Sequence, residues 1–254
     1  MRFMRSAMDG IRSGIRKIAY PVRYWSVYGF RPSPVFPGDL SGYRDVLSAI
    51  SREKMYLPAG DVVEIGAFTG QGTYQLAKYF EKNAPGKKVI AVDIFMPSAD
   101  TTANVNGRRM ADIYAGKLAG REQRAIFDRV IRDCANVSVI EKDSLGMDFP
   151  VDEICFAYID GNHSPRYVRN DFLITWRILV PGGWLAFDDY GRDLPGVTLE
   201  INRLIGEHAG QITKVMTVGS KTIFIQKRAT DIGGEKRADI PGEGEPKGSV
   251  SHDP

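Results

Sequence analysis

Short apolar runs alternate with stretches of helical spacing along most of the chain. Gly42 to Met55 puts Tyr43, Val46, Leu47 and Ile50 on one face and predicts a helix. Asp61 to Ile65 reads as a strand, Gly66 to Gly72 as a glycine-containing turn, and about Thr73 to Lys82 as a helix. Pro85-Gly86 turns the chain into a second strand, Lys88 to Val92, with Asp93 at its tip. Ile94 to Asn106 has no clear period and predicts a loop near the ligand site. Arg108 to Cys134 is helical in spacing, broken near Gly116 or Gly120, and Val137 to Ile140 is a third strand with Asp143-Ser144 after it. Two further strands each run into acid: Cys155 to Ile159 into Asp160, and Gly183 to Phe187 into Asp188-Asp189, with a helix from Arg166 to Leu179 between them. Val197 to Glu207 closes the helical series. Gln211 to Val218 and Lys221 to Gln226 form a hairpin through Gly219-Ser220.

This order predicts the α/β class: a Rossmann-like, mostly parallel seven-stranded sheet with an antiparallel C-terminal hairpin and helices on both faces. Parallel strands joined by crossover helices bring their ends to one edge, where open α/β sheets bind ligands. Asp160, Asp188 and Asp189 are expected to converge there. Left uncompensated they repel one another strongly, so a bound cation is the simpler account; a helix-capping role for Asp188-Asp189 stays open.

The charge is uneven. The chain has 254 residues, 43% of them apolar, with 34 Lys and Arg against 31 Asp and Glu. Residues 1–31 hold seven bases and one acid, and the tail from Lys227 holds five bases and six acids, leaving 22 bases against 24 acids between. A body of that balance argues against a nucleic-acid surface. Residues 1–38 read as a basic segment with a Pro-rich linker from Arg31 to Gly38, residues 39–228 as the catalytic domain, and 229–254, rich in Gly, Pro and charge, as a disordered tail. Within the first segment Met4, Met8, Ile11, Ile15, Ile18 and Val22 recur at helical spacing. Such a helix docks on its own domain, on a second subunit in a homo-oligomer, or on an anionic membrane through residues 1–30. Cys134 and Cys155 sit in apolar surroundings and read as buried thiols, without a zinc-like spacing. With neither a membrane-length apolar run nor a signal-peptide core, the expected location is the cytoplasm, with membrane association as the variant.

The first strand–helix–strand unit carries the cofactor chemistry. Glycines let the backbone approach a ligand, a helix start offers free N–H groups, and an acid on the second strand tip suits ribose hydroxyls. The spacing is G-x-x-x-G-x-G, not the G-x-G-x-x-G of dinucleotide sites, and Glu64 beside the loop repels phosphates. A cationic, phosphate-free nucleoside such as S-adenosylmethionine fits better than a nicotinamide dinucleotide. That leaves a nicotinamide-dependent oxidoreductase, or a non-catalytic membrane-tethered cofactor-binding protein, as the alternatives. Asp143-Ser144 offers a carboxylate and a hydroxyl to an adenine amino group, or simply makes a turn.

Val63-Glu64-Ile65-Gly66 with Gly70, then Asp93, then Asp143-Ser144, resemble the successive cofactor motifs of class I S-adenosylmethionine-dependent methyltransferases. Ile159-Asp160-Gly161-Asn162-His163-Ser164 and Pro181 to Tyr190 are similar to segments of the metal-dependent macrocin-type O-methyltransferases. The resemblance implies that Glu64, Gly66, Gly70, Asp93, Asp143, Ser144 and Asp160 line the cofactor. It implies that Asp160, Asp188 and Asp189 hold a divalent cation, usually Mg²⁺, and that His163 accepts the proton. Many members carry a second acid where this chain has Asn162. The expected reaction is methyl transfer to a hydroxyl of a sugar-like or vicinal-diol small molecule, with the cation favouring the alkoxide and a neutral His163 as base.

Overall fold

A computed structural model describes residue 22, residues 24–31 and residues 40–229. The helical stripe from Met4 to Ile18, the Pro-rich linker after Arg31 and the tail from residue 230 lie outside the described residues.

The elements follow the periodicity closely. Helix α1 (Leu40–Arg52) leads into β1 (Asp61–Ile65), α2 (Gln71–Asn83) and β2 (Val89–Asp93). Helices α3 (Met110–Leu118) and α4 (Gln123–Ile131) precede β3 (Val137–Glu141) and β4 (Ile154–Ile159). Then come α5 (Pro165–Ile178), β5 (Leu179–Phe187), α6 (Pro195–Glu207), β6 (Ile212–Val218) and β7 (Thr222–Lys227). The break expected near Gly116 or Gly120 falls at Ala119 and Gly120, both with positive φ. Strand β5 starts four residues before the predicted Gly183, because Leu179 already pairs with Ile154 ahead of the Pro181-Gly182 irregularity.

The seven strands lie in the order β3-β2-β1-β4-β5-β7-β6, with β7 antiparallel to both neighbours. The sheet is the expected one. The central strand β4 is apolar and buried along its whole length because both faces are covered. One face packs Val63, Leu185 and Phe187 under α5 and α6, where Phe172 stacks on Trp176 at 5.0 Å. The other packs Val62, Phe156, Trp184 and Phe224 under α1 and α2. Cys134 and Cys155 are buried free thiols, as expected. Among the described residues no helix is long and apolar enough to cross a membrane.

Register fixes the site. Ile65 pairs with Ile159, and Ile159 with Phe187, so the next residue of each strand reaches the same rim. Main-chain bonds continue past the strand ends: Asp160 N to Ile65 O at 2.8 Å, Asp188 N to Ile159 O at 3.0 Å.

Candidate active site

A cleft of about 820 Å³, its open mouth included, runs along the carboxyl ends of β1, β2, β3 and β4. Gly66, Asp93, Asp143, Ser144 and Asp160 of the expected cofactor residues line it, together with Phe68, Tyr114, Gln123, Asn162 and Tyr167. Gly66 sits at φ +89, and a Cβ there would collide with the Asp160 carbonyl, so the β1 turn and the β4 tip touch through glycine alone. Asp93 accepts from Phe68 N at 2.7 Å, Phe95 N at 2.6 Å and Gln123 Nε2 at 3.2 Å. Burial raises its carboxyl above the usual value, and these bonds hold it back.

Two expected cofactor residues do not line the cleft. Successive side chains of a strand face opposite sides, so Glu64, next to the cleft-lining Ile65, points under α1 and α2. It is 1% exposed, accepts the Tyr43 hydroxyl at 2.6 Å and is bonded by Thr73 Oγ1. Burial pushes its pKa up to about 7 against those two bonds. Gly70, left-handed at φ +79, packs against Phe127 and lets α2 begin.

Helix α5 braces the far end of the cleft. Tyr167 donates to Asp143 Oδ2 at 2.9 Å, and Asn170 Nδ2 donates to the Ser144 carbonyl at 2.7 Å. Asp171 is buried behind Gly161, and burial raises its carboxyl to about 6 against hydrogen bonds from Ser144 and Asn170. The same helix starts with Pro165 directly after the acid cluster. Asn162 Oδ1 accepts Ser164 N at 2.9 Å, which makes the turn that projects His163 inward.

His163 is the hub of the other end. Its Nδ1 lies 2.5 Å from Asp100 Oδ2, and its Nε2 lies 2.8 Å from Asp189 Oδ2 and 4.0 Å from Asp160 Oδ1. Burial works against the charged ring, but the bonds to Asp100 and Asp189 and the charge of Asp160 raise its pKa to about 10. Its carboxylate neighbours thus favour the protonated form of the ring. Asp160 is pushed well above the carboxylate range by burial and by the charges of Asp188 and Asp189. Asp189 goes the other way: despite burial, the His163 hydrogen bond and the Lys221 ammonium hold it at about 2.

The expected trio of acids divides. Asp189 adopts φ +57, a left-handed conformation that Asp tolerates better than most residues, and its side chain turns towards His163. Asp188, the first residue past β5, faces the hairpin, where Lys221 Nζ donates to Oδ2 at 2.6 Å and Thr222 Oγ1 to Oδ1 at 3.0 Å. Among the described residues, the group whose ligand atoms lie within 4.8 Å of one another and could hold an ion is Asp160, His163 and Asp189; Asp188 is not part of it. Two carboxylates and an imidazole make a donor set that fits a divalent cation with positions left for solvent or substrate.

Asp100 and Lys221 went unnoticed in the sequence. Asp100 lies in the loop after β2, where its Oδ1 accepts from Thr102 N at 2.9 Å and Thr102 Oγ1 at 2.6 Å. The Asp100-x-Thr102 spacing is the one sequence trace of that turn. Lys221 reads only as a strand start.

The profile of a methyltransferase-domain family matches residues 63–190, from β1 through the acid pair. No curated protein matches the sequence. Among solved structures, the O-methyltransferase NovP superposes with a TM-score of 0.58 at 14% identity, covering 74% of this chain and 79% of its own. CalS11, a calicheamicin methyltransferase, gives 0.52 at 15% identity over 71% and 77%. Its apo structure, described as a TDP-rhamnose 3'-O-methyltransferase, gives 0.50 at 16% over the same shares. These likenesses are of fold. With the matched span covering the glycine turn, the acid of β2 and the rim of acids, the chain belongs to the methyltransferase-domain family and is a class I S-adenosylmethionine-dependent methyltransferase in its fold.

Proposed function

We propose that the protein transfers the methyl group of S-adenosylmethionine to a hydroxyl of a sugar-like or vicinal-diol small molecule, with help from a divalent cation. The observation that carries this reading is the meeting of Asp160, His163 and Asp189 ligand atoms within 4.8 Å at the end of the cofactor cleft. Membership of a methyltransferase family supports the donor, and the names NovP and CalS11 carry support the hydroxyl acceptor.

In this reading Gly66, Asp93, Asp143 and Ser144 seat the nucleoside, and Asp160 stands where cofactor and acceptor meet. A bound cation supplies Lewis acidity to the acceptor hydroxyl. Asp160, His163 and Asp189 would hold it, and Asp100 would fix the imidazole through Nδ1, as orienting carboxylates do for metal-bound histidines. His163 would coordinate as the neutral imidazole, so cation binding would depend on pH. Binding both partners in line supplies much of the rate.

The test is methyl transfer to a panel of sugars, glycosides and catechols, followed by mass, with the chelated enzyme and with Mg²⁺ or Mn²⁺ restored. Activity that depends on the added cation supports the reading; activity unchanged by chelation removes the cation from it. A second reading has one observation in its favour. Lys221 Nζ, 2.6 Å from Asp188 and 3.2 Å from Asp189, already balances part of the acid cluster. A site that works without metal keeps its turnover under chelator and loses it in Lys221→Met.

A further inference from the structure

Helix α4 opens at the cleft, and the side chain of its first residue is satisfied at one end only. Gln123 follows Glu122, whose carboxylate caps the helix by accepting Ala125 N at 3.2 Å. Gln123 is 5% exposed and lines the cleft. Its Nε2 donates to the Phe68 carbonyl at 3.1 Å and to Asp93 Oδ1 at 3.2 Å. Both partners are acceptors, so the amide stands in one orientation, with both N–H bonds engaged and Oε1 turned away from them. That oxygen is buried and has no partner. Among the described residues, unpartnered buried side-chain atoms occur also at Gln71, Asn136 and Asp171, but of these four residues only Gln123 lines the cleft.

Holding the β1 turn to the β2 tip does not require that oxygen. A lysine or arginine in the same place would donate to Phe68 and Asp93 without stranding an acceptor, and a buried acceptor left unmatched is costly. The neighbouring carboxylate is short of capacity in a complementary way. An ionised Asp offers about four lone-pair sites. At Asp93 three are taken: Phe68 N on Oδ2, and Phe95 N with Gln123 Nε2 on Oδ1. The site left over is on Oδ2, so Asp93 has room for a single further donor. A ribose cis-diol brings a pair of hydroxyl donors on adjacent carbons, and the second needs an acceptor beside Asp93. Gln123 supplies it, its amide nitrogen lying 3.2 Å from that carboxylate.

We propose that Gln123 Oε1 accepts one ribose hydroxyl of the nucleoside cofactor and that the free site on Asp93 Oδ2 accepts the other. The proposal rests on the reading of the cleft as an S-adenosylmethionine site and is independent of the acceptor and of the cation. The diol is read from two elements, the tip of β2 and the start of α4, rather than by the carboxylate alone. A ribose lacking either hydroxyl leaves a buried acceptor unmatched, and a site built to hydrogen-bond a hydroxyl rejects such an analogue strongly.

Calorimetry on the full chain with S-adenosylhomocysteine and with its 2′-deoxy and 3′-deoxy forms tests this without turnover. Wild type is expected to bind each deoxy form about 10- to 100-fold more weakly than the parent. In Gln123→Met, a change that keeps the length of the side chain, the penalty for one of the two hydroxyls is expected to fall below about twofold while the other persists. Asp93→Ala is expected to give the mirror image, erasing the other penalty alone, and either variant decides the matter if its counterpart does not fold. Penalties unchanged in Gln123→Met, or both erased in Asp93→Ala, overturn the proposal, because Asp93 then holds the whole diol. Loss of both penalties in Gln123→Met overturns it too, leaving Gln123 as a support of Asp93. Equal binding of all three ligands by wild type does the same. A wild type that binds no S-adenosylhomocysteine overturns the cofactor reading itself, a result distinct from each of these.

Discussion

Asp100 and His163 are 63 residues apart in sequence and 2.5 Å apart across the site, and the same Asp100 oxygen also accepts the His163 backbone N–H at 3.4 Å. The carboxylate therefore sets the imidazole's orientation and which nitrogen faces the acids. Asp100→Asn is expected to lower cation affinity and turnover by about 10- to 100-fold with little change in melting temperature. Calorimetric titration with Mn²⁺, alongside turnover, checks it; unaltered affinity would mean that the ring is positioned by other means.

Asp188 and Asp189 should separate in function despite being neighbours. Asp189→Asn is expected to abolish cation binding while S-adenosylmethionine still binds. Asp188→Asn is expected to keep cation binding within a few-fold but to destabilise the fold by about 1–2 kcal/mol, because Thr222 and the half-exposed Lys221 lose a charged partner. Chemical denaturation and metal titration on both variants read the split. Equal loss of cation binding in both would restore the three-acid ligand set.

Gly66→Ala should fail doubly. The added methyl meets the Asp160 carbonyl, and φ +89 is costly for any L side chain. We expect a loss of about 2–4 kcal/mol in stability and at least tenfold in cofactor affinity, measured by denaturation and by calorimetry with S-adenosylhomocysteine.

Glu64 makes stability depend on pH in an unusual direction. Its pKa is about 7 in the folded chain against an ordinary 4.5, so between those values the folded state binds more protons than the unfolded one. Its contribution is complete below pH 4.5 and is lost as pH rises towards about 7, by up to about 3 kcal/mol. Glu64→Gln keeps the shape and removes the titration. Its stability is expected to vary less than wild type across that window, as urea melts at several pH values would reveal.

The strand tips were legible because they rest on local pattern: an apolar run ending in acid, repeated at Asp93, Asp160 and Asp188. The mostly parallel sheet with its antiparallel end followed from the alternation of two periods. The partners of those acids were not legible. Asp100 lies in a loop with no period, and its bond to His163 joins two separate crossovers. The diverging directions of Asp188 and Asp189 depend on one left-handed residue, which nothing in an Asp-Asp pair announces. The place of Glu64 off the lining of the cleft was hidden for a related reason. A central strand buried on both faces shows no alternation, so the sequence did not reveal that Glu64 and Ile65 face opposite sides.

Helix α5 begins beside His163 and, within its first two turns, grips the loop at Asp143 and Ser144. In the proposed reading, one stiff rod thereby sets the interval between the end of the cleft that would seat the nucleobase and the end that would hold the acceptor. It works as a gauge: a donor with a longer or shorter bridge between its ring system and its transferable carbon would present that carbon out of line with the acceptor, however well each end were seated.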